Sequence, residues 1–333
     1  MANIAINGIG RIGKLVLQIL INQKLNLKHV NELNGNINTL IHSIEFDSIH
    51  GKWNADFKLN DKNIIINKNA ITTSFSKDID TLNFKNIDLL IDCTGKNKSS
   101  IELNKYFKLG VKKVLVSSPI NEDNIANIVY GVNHDIYSAS KHKIITAASC
   151  TTNCLAPIIK VLHENIGIKH GSISTIHNIT NTQTLIDLPK DNLRRARSAL
   201  NNLIPTTTGS AKAISLIYPE LKGKLNGHAI RVPILNSSLT DCVFEMNSNT
   251  SVHQINNLFE KASQGSLKGI LGYEERPLVS SDYVNDPRSS IIDALSTIVI
   301  NNTQVKVYAW YDNEWSYANR LVDIAKMICD SIE

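Results

Sequence analysis

No stretch of this 333-residue chain offers the long uninterrupted apolar run that would cross a bilayer, and no basic run is interleaved with aromatics as on a nucleic-acid surface. Membrane insertion and direct nucleic-acid binding are therefore not expected. The formal charge of +5 is spread through lysine-rich stretches such as 58–68 and 105–113, which suit an anionic substrate and an ordinary solvated face equally. Cysteine is scarce: Cys93, Cys150, Cys154, Cys242 and Cys329 are odd in number and too widely spaced for a disulfide framework, which points to a reducing compartment, by default the cytoplasm. No second ligand pair at zinc spacing accompanies Cys150 and Cys154, so no metal is expected; Cys154 reads as a packing residue or a spare redox-sensitive thiol. Internal repeats and low-complexity linkers are missing too. The chain opens directly on an apolar strand, which leaves no room for a secretory leader. What is present, 42% hydrophobic residues in a chain of this length, can bury two domain cores or one large one.

Ile4–Ile6 reads as a short buried strand. Gly8-Ile9-Gly10-Arg11-Ile12-Gly13 follows at once, and Ile12, Leu15, Val16, Ile19 and Leu20 then recur at helical spacing. In such a strand–turn–helix, Gly8 permits the tight turn, Gly10 lets the backbone approach a pyrophosphate, and Gly13 lets helix and strand pack closely. A second strand near His29 and Val30 ends at Glu32, roughly 20 residues on, where an acid normally binds the adenosine ribose and favours NAD over NADP. A glycine turn of any α/β protein, with Glu32 a solvated loop acid, is the alternative. Ile87–Cys93, ending in Thr94-Gly95, and Val111–Ser118, after a helix over Ser100–Leu109, read as further strands buried on both faces. The alternation predicts an α/β, doubly wound, parallel Rossmann sheet over 1–150.

The segment Ser149-Cys150-Thr151-Thr152-Asn153-Cys154 puts a cysteine where the strand Lys143–Ala148 turns into a helix running towards His163. Free amides and the positive helix end favour a thiolate there, which makes Cys150 a candidate nucleophile. Beyond it the strands Ser172–Ile179, His228–Val232, Ser238–Glu245 and Val305–Tyr311, with helices at Ala211–Leu216 and Val252–Ser263, predict an α+β domain with a largely antiparallel sheet over 151–314. His177 lies on the first of these strands, placed to take the thiol proton. Thr180, Thr182, the run Thr206-Thr207-Thr208-Gly209 and Arg231 are groups that hold phosphate oxygens, although each threonine run is also an ordinary cap or turn. The stretch Asn181–Pro205, with Arg194, Arg195 and Arg197, reads as a long functional loop or a solvated excursion.

Taken together, Asn7-Gly8-Ile9-Gly10-Arg11-Ile12-Gly13, the cysteine hexapeptide, Leu193–Arg197, Ile204–Gly209, Leu225–Pro233 and Trp310-Tyr311-Asp312-Asn313-Glu314 resemble the phosphorylating glyceraldehyde-3-phosphate dehydrogenases over essentially the whole chain. The resemblance implies NAD-dependent oxidation of glyceraldehyde 3-phosphate through a Cys150 thioester, with His177 as base and oxyanion donor, and with inorganic phosphate releasing the acyl phosphate. By the same resemblance Asn7, Gly8, Gly10, Arg11, Ile12, Gly13, Glu32, Thr94, Gly95, Ser117, Asn313 and Tyr317 would hold NAD. Thr180, Thr182 and Arg231 would hold the substrate phosphate, and Ser149, Thr151, Arg195, Thr208 and Gly209 the attacking one. It further implies a homotetramer in which the 181–205 loop packs across subunits, and a last helix, 315–333, returning to the first domain. The family commonly has Asp at the position of Glu32 and an aromatic at Asn97. The segments 31–35, 180–184 and 272–277 look most like a branch associated with arsenate resistance, in which arsenate replaces phosphate. Erythrose-4-phosphate dehydrogenase and a catalytically silent nucleotide sensor are the other readings.

Overall fold

Between Met1 and Ser149 the chain forms β1 (Ile4–Asn7), α1 (Arg11–Asn22), β2 (Leu27–Asn31), α2 (Ile37–Glu45), β3 (Phe46–Asp47), β4 (Gly51–Lys52), β5 (Phe57–Asn60), β6 (Asn63–Ile66), β7 (Asn69–Ser74), β8 (Leu89–Asp92), α3 (Ser100–Lys108), β9 (Lys113–Val116), β10 (Ala126–Asn127) and β11 (Ile144–Thr146). The structure, a computed structural model, describes residues 1–60 and 63–332. Lys62 of the lysine-rich 58–68 stretch and Glu333 of the expected last helix lie outside the described residues. The strands make one sheet in the order β10-β11-β9-β8-β1-β2-β7-β6-β5, parallel from β10 to β7, with β6 and β5 added antiparallel at one edge. The central strands β1, β8 and β9 are buried at every residue, as continuous apolar runs covered on both faces must be. Phe84, Leu90, Leu103, Tyr106 and Val114 pack into one core cluster beside them. Burying an aliphatic or aromatic side chain of this size contributes about 1.5–3 kcal/mol.

From Cys150 the chain forms α4 (Cys150–Asn165), β12 (Ile168–Asn178), β13 (Ile204–Thr207), α5 (Ser210–Ile217), β14 (Leu225–Val232), β15 (Ser238–Met246), α6 (Val252–Gln264), β16 (Leu271–Glu274), β17 (Ser290–Ile300), β18 (Gln304–Tyr311) and α7 (Trp315–Asp330). The sheet order is β13-β14-β12-β15-β18-β17-β16, antiparallel except at β14–β12 and β17–β16. Along β15 and β18 buried residues alternate with partly exposed ones, the signature of a sheet with one covered face. The two compact units comprise residues 1–149 with 317–333, and residues 150–316. Cys150 thus groups with the second unit, and most of α7 with the first. No described helix is long and apolar enough to cross a membrane.

Candidate active site

Cys150 is the first residue of α4. Two residues earlier Ala148 adopts φ +53°, a left-handed conformation that costs a non-glycine residue about 1–3 kcal/mol. Two hydrogen bonds hold it: its N–H donates to Thr146 Oγ1 at 3.2 Å, and the Tyr317 hydroxyl donates to its carbonyl at 3.0 Å. The left-handed residue thus stands between β11 and α4, and the Cys150 thiol at the head of α4 is half-buried. Its sulfur lies 3.8 Å from His177 Nε2 and 4.0 Å from Thr151 Oγ1.

His177 stands next to Arg231 because β12 and β14 pair in parallel with these two residues in register. Arg231 Nη1 lies 2.7 Å from His177 Nδ1 and 3.0 Å from the Asn178 carbonyl oxygen, which is itself 2.9 Å from Nδ1. A guanidinium only donates, so while Arg231 holds Nδ1 the ring hydrogen sits on Nε2, facing the sulfur. An anion that draws Arg231 away lets Nδ1–H donate to the carbonyl and frees Nε2 to accept a proton. Burial, and secondarily the Arg231 charge, push His177 down to about 4. Burial pushes the Cys150 thiol up, and the Arg231 charge and hydrogen bonds at Thr151 only partly counter it. Both shifts favour the neutral pair. The backbone hydrogen bonds at the helix mouth act in the opposite direction, towards the thiolate that the sequence leads one to expect.

Around this pair Thr151 Oγ1 lies 3.0 Å from the hydroxyl of Tyr311, a fully buried residue whose ring meets the His177 ring edge-on at 6.3 Å between centroids. The Asn313 side-chain oxygen accepts from Ser238 Oγ at 3.3 Å, and the same hydroxyl reaches Asn178 Oδ1 at 3.3 Å. Thr180 and Thr182, just beyond β12, have hydroxyls 2.9 Å apart. Thr208, which with Gly209 precedes α5, lies 2.9 Å from Ser210 Oγ, and Arg195 donates to Thr206 Oγ1 through Nη2 at 2.9 Å. The structure therefore brings Cys150, Thr151, His177 and Arg231 together, whereas Thr180, Thr182 and Thr208 hydrogen-bond to near neighbours in sequence and Arg195 to Thr206 on β13. Sequence reasoning gave no role to Tyr311 or Ser238. The alternation along β18, which turns Val305, Val307, Ala309 and Tyr311 inward, was the available signal for the first.

In the first unit Asn7 ends β1 and Gly8 follows at φ +91°. A Cβ on Gly8 would sit 2.9 Å from Thr94 N and one on Gly13 1.9 Å from Gly8 O, whereas one on Gly10 would meet nothing within 4 Å. Two glycines thus serve close packing inside the protein, and the third keeps one face of the turn open. No side chain caps α1, and the open face of the Gly10 turn at its N-terminus fits a dinucleotide pyrophosphate. Glu32 accepts from Ile9 N at 2.7 Å and from Asn34 N at 3.0 Å, so its carboxylate already closes the turn. Arg11 and Lys14 both pair with Asp47, whose carboxyl is held well below the usual range by those two partners although burial opposes them. Ile12 lies in the first turn of α1 and Gly95, at φ +66°, in the turn after β8, while Ser117 N donates to the Asp92 carbonyl at 2.9 Å. Ser149, after the Ala148 turn, is half-buried, and Tyr317 is buried with its hydroxyl on Ala148.

An open glycine turn on a parallel sheet in one unit, and a Cys–His–Arg cluster at a helix mouth in the other, define a dinucleotide-dependent thiol enzyme. Residues 2–100 match the family described as "Glyceraldehyde 3-phosphate dehydrogenase, NAD binding domain", and residues 149–313 match its "C-terminal domain". The chain belongs to the glyceraldehyde-3-phosphate dehydrogenase family. It is 53% identical to glyceraldehyde-3-phosphate dehydrogenase 3 of a Nostoc species, over 99% of each chain. Glyceraldehyde-3-phosphate dehydrogenase 1 of Bacillus subtilis is 46% identical over 98% of this chain and 97% of its own, and the Geobacillus stearothermophilus enzyme is 45% identical over the same shares.

Proposed function

We propose that this chain oxidises D-glyceraldehyde 3-phosphate to 1,3-bisphosphoglycerate, with NAD as hydride acceptor and inorganic phosphate as acyl acceptor. The observation that carries the reading is the 3.8 Å approach of Cys150 Sγ to His177 Nε2 at the head of α4, with Arg231 2.7 Å from the other ring nitrogen. Cys150 Sγ adds to the aldehyde carbon while its proton passes to Nε2. The protonated ring then donates to the new alkoxide, the kind of preorganised donor that lowers the barrier most. NAD, held by the glycine turn and its neighbours named below, would supply the hydride acceptor for oxidation of this hemithioacetal carbon to the thioester. Phosphate attacks the thioester carbon, the Cys150 thiolate leaves and takes back the proton held on His177 Nε2, so the acyl phosphate forms and the thiol is restored.

Arg231, with Thr180 and Thr182, takes the substrate phosphate. In doing so it leaves Nδ1 to the Asn178 carbonyl and makes Nε2 basic only when substrate is present. Ser149, Thr151, Arg195, Thr208 and Gly209 take the attacking phosphate. Asn7, Gly8, Gly10, Arg11, Ile12, Gly13, Glu32, Thr94, Gly95, Ser117, Asn313 and Tyr317 form the NAD site, and the domains run 1–150 with the last helix and 151–314. A homotetramer is supported by the exposed apolar side chains of the 181–205 loop, Leu185, Ile186, Leu188, Leu193, Leu200 and Leu203, which another copy would cover. The five free thiols, one of them the nucleophile, support a cytoplasmic location.

The test is NADH formation from the triose phosphate with phosphate, with arsenate and with neither. Sustained turnover with either oxyanion, and a single burst without, is the expected pattern, because the thioester then has no acceptor. A higher kcat/KM for erythrose 4-phosphate would move the substrate to the four-carbon aldehyde. Absence of NADH from protein that binds NAD would leave only a nucleotide sensor.

A further inference from the structure

β1, β2 and β8 end side by side in Asn7, Asn31 and Asp92, which face one another in register. Asp92 is 1% exposed, and among the described residues no cation pairs with it. Its carboxylate is satisfied instead by four neutral donors. Oδ1 accepts from Thr94 N at 2.9 Å and Thr94 Oγ1 at 2.7 Å, and Oδ2 accepts from Asn97 Nδ2 at 2.6 Å and the Tyr106 hydroxyl at 2.7 Å. Tyr106, itself fully buried, accepts from Asn7 Nδ2 at 2.6 Å and from Asn97 Nδ2 at 3.1 Å. Asn7 Oδ1 accepts from Asn31 Nδ2 at 2.8 Å. Burial and the neighbouring Asp92 charge push the Tyr106 phenol well up, which keeps its hydrogen in place as a donor.

This belt of hydrogen bonds crosses the carboxyl ends of the strands and finishes in both turns of the glycine site. Asn7 immediately precedes Gly8, and Thr94 and Asn97 bracket the second turn, against which Gly8 packs so closely that a Cβ would meet Thr94 N at 2.9 Å. A buried anion is tolerated only while its lone pairs are filled, so it orients every donor around it. The Thr94 hydroxyl hydrogen is spent on Asp92, and its oxygen accepts from Lys96 N at 3.2 Å. Towards a ligand it is an acceptor only.

We propose that Asp92 is a positioning residue for dinucleotide binding: without touching the cofactor it draws Thr94, Asn97 and, through Tyr106, Asn7 into one arrangement, holding the 8–13 and 93–97 turns in the register that admits NAD. The inference rests on the NAD-binding reading of the first unit and adds to it a buried charge outside the contact shell. Thr94 Oγ1 then meets a cofactor hydroxyl or amino group, never a phosphate oxygen.

The experiment uses the full chain with Asp92→Asn, Tyr106→Phe, Asn97→Ala and the exchanged pair Asp92→Asn/Asn97→Asp, and measures NAD affinity by calorimetry beside steady-state kinetics. Asp92→Asn turns one acceptor into a donor amid four donors and should raise the NAD Kd about 10- to 100-fold, the loss of one charge-assisted hydrogen bond. Tyr106→Phe and Asn97→Ala leave the charge in place and should cost about threefold to tenfold. KM for NAD should rise in step, while kcat at saturating NAD and KM for the aldehyde stay within about twofold of wild type. The exchanged pair restores donor against acceptor and should recover much of the affinity. Unchanged affinity in Asp92→Asn overturns the proposal. So does a loss that the exchange fails to recover and that lowers kcat, aldehyde KM and thermal stability alike, the mark of a scaffold residue. A wild-type chain that does not bind NAD would overturn the reading of the unit itself, an outcome seen before any variant is made.

Discussion

Alanine at each of the three turn glycines should give three different outcomes, because each glycine is there for a different reason. At Gly13 the new methyl would lie 1.9 Å from the Gly8 carbonyl oxygen, so α1 and the turn must part by about 1.5 Å to reach an ordinary 3.4 Å contact. Backbone meets backbone there and neither can swing away. Overpacking of this kind costs about 1–3 kcal/mol, and the displaced first turn carries the phosphate-facing amides with it, so stability and NAD affinity should fall together. At Gly8 the same pair of losses is expected, with the penalty of φ +91° added to the 2.9 Å approach to Thr94 N. Gly10 is the discriminating case. Its φ of −74° is ordinary for alanine and nothing lies within 4 Å of the added carbon, so Gly10→Ala should leave the fold intact or stabilise it by about 0.4–1 kcal/mol through the unfolded chain. The same methyl fills the face left open for the pyrophosphate, and NAD affinity should drop about tenfold or more, a loss of at least about 1.4 kcal/mol. Urea midpoints and calorimetric NAD titrations on the three variants separate these effects. A Gly10→Ala protein that binds NAD like wild type would show that the open face is not where the cofactor lies.

Cys150→Ser should abolish aldehyde oxidation while NAD binding persists, checked by NADH formation and calorimetry; retained wild-type turnover would remove the proposed nucleophile. His177→Asn should lower kcat by about 10²- to 10⁴-fold, the usual contribution of a positioned acid–base group, and should flatten the pH–rate profile in the range where the imidazole titrates. Acid stability should follow buried histidines. His29, hydrogen-bonded to Ser74 Oγ at 2.8 Å, is pushed by burial from 6.5 down to about 4. A depressed histidine resists protonation only in the folded state, so its stability is complete above pH 6.5 and is lost as pH falls through 4, up to about 3 kcal/mol. Urea unfolding from pH 7.5 to 4 should show this slope reduced in His29→Gln, and parallel curves would refute it.

The features read correctly from the sequence are those that backbone geometry imposes on consecutive residues. The glycine turn could be read because φ +91° at Gly8 and the crowding at Gly13 exclude other residues. The central parallel strands could be read because burial on both faces demands unbroken apolar runs. β17 escaped notice because its pairing with β18 slips between Asp293 and Ile298, which breaks the alternation that marks a strand. The β5–β7 extension escaped for another reason: its exposed positions mix Lys58, Asn60, Asn69 and Thr72 with the apolar Leu59 and Ala70, so no clean alternation marks the strands around the buried Ile64, Ile66 and Ile71. The turn at Ala148 gave no signal, since alanine is not a residue that announces a left-handed conformation, and it persists through the Tyr317 hydroxyl, 169 residues along the chain.

The same distinction explains the site. Cys150 could be found from its hexapeptide, and His177 from its place on the strand after the cysteine's helix. Their joint chemistry is set by a relation between strands, the parallel register of β12 and β14 that sets Arg231 against Nδ1. Register across a sheet is not written in the spacing of either strand, so the sequence could assign Arg231 to a phosphate but could not reveal that it also governs which nitrogen of His177 carries the proton. In the proposed mechanism, one guanidinium with two competing partners would make the base answer to the charge of the substrate. Arg231→Lys would test that link: it keeps a positive charge for the phosphate but lacks the planar fork that spans Nδ1 and the Asn178 carbonyl. The pH dependence of kcat/KM should therefore shift in this variant even where substrate still binds, and a profile superimposable on wild type would disconnect Arg231 from the histidine.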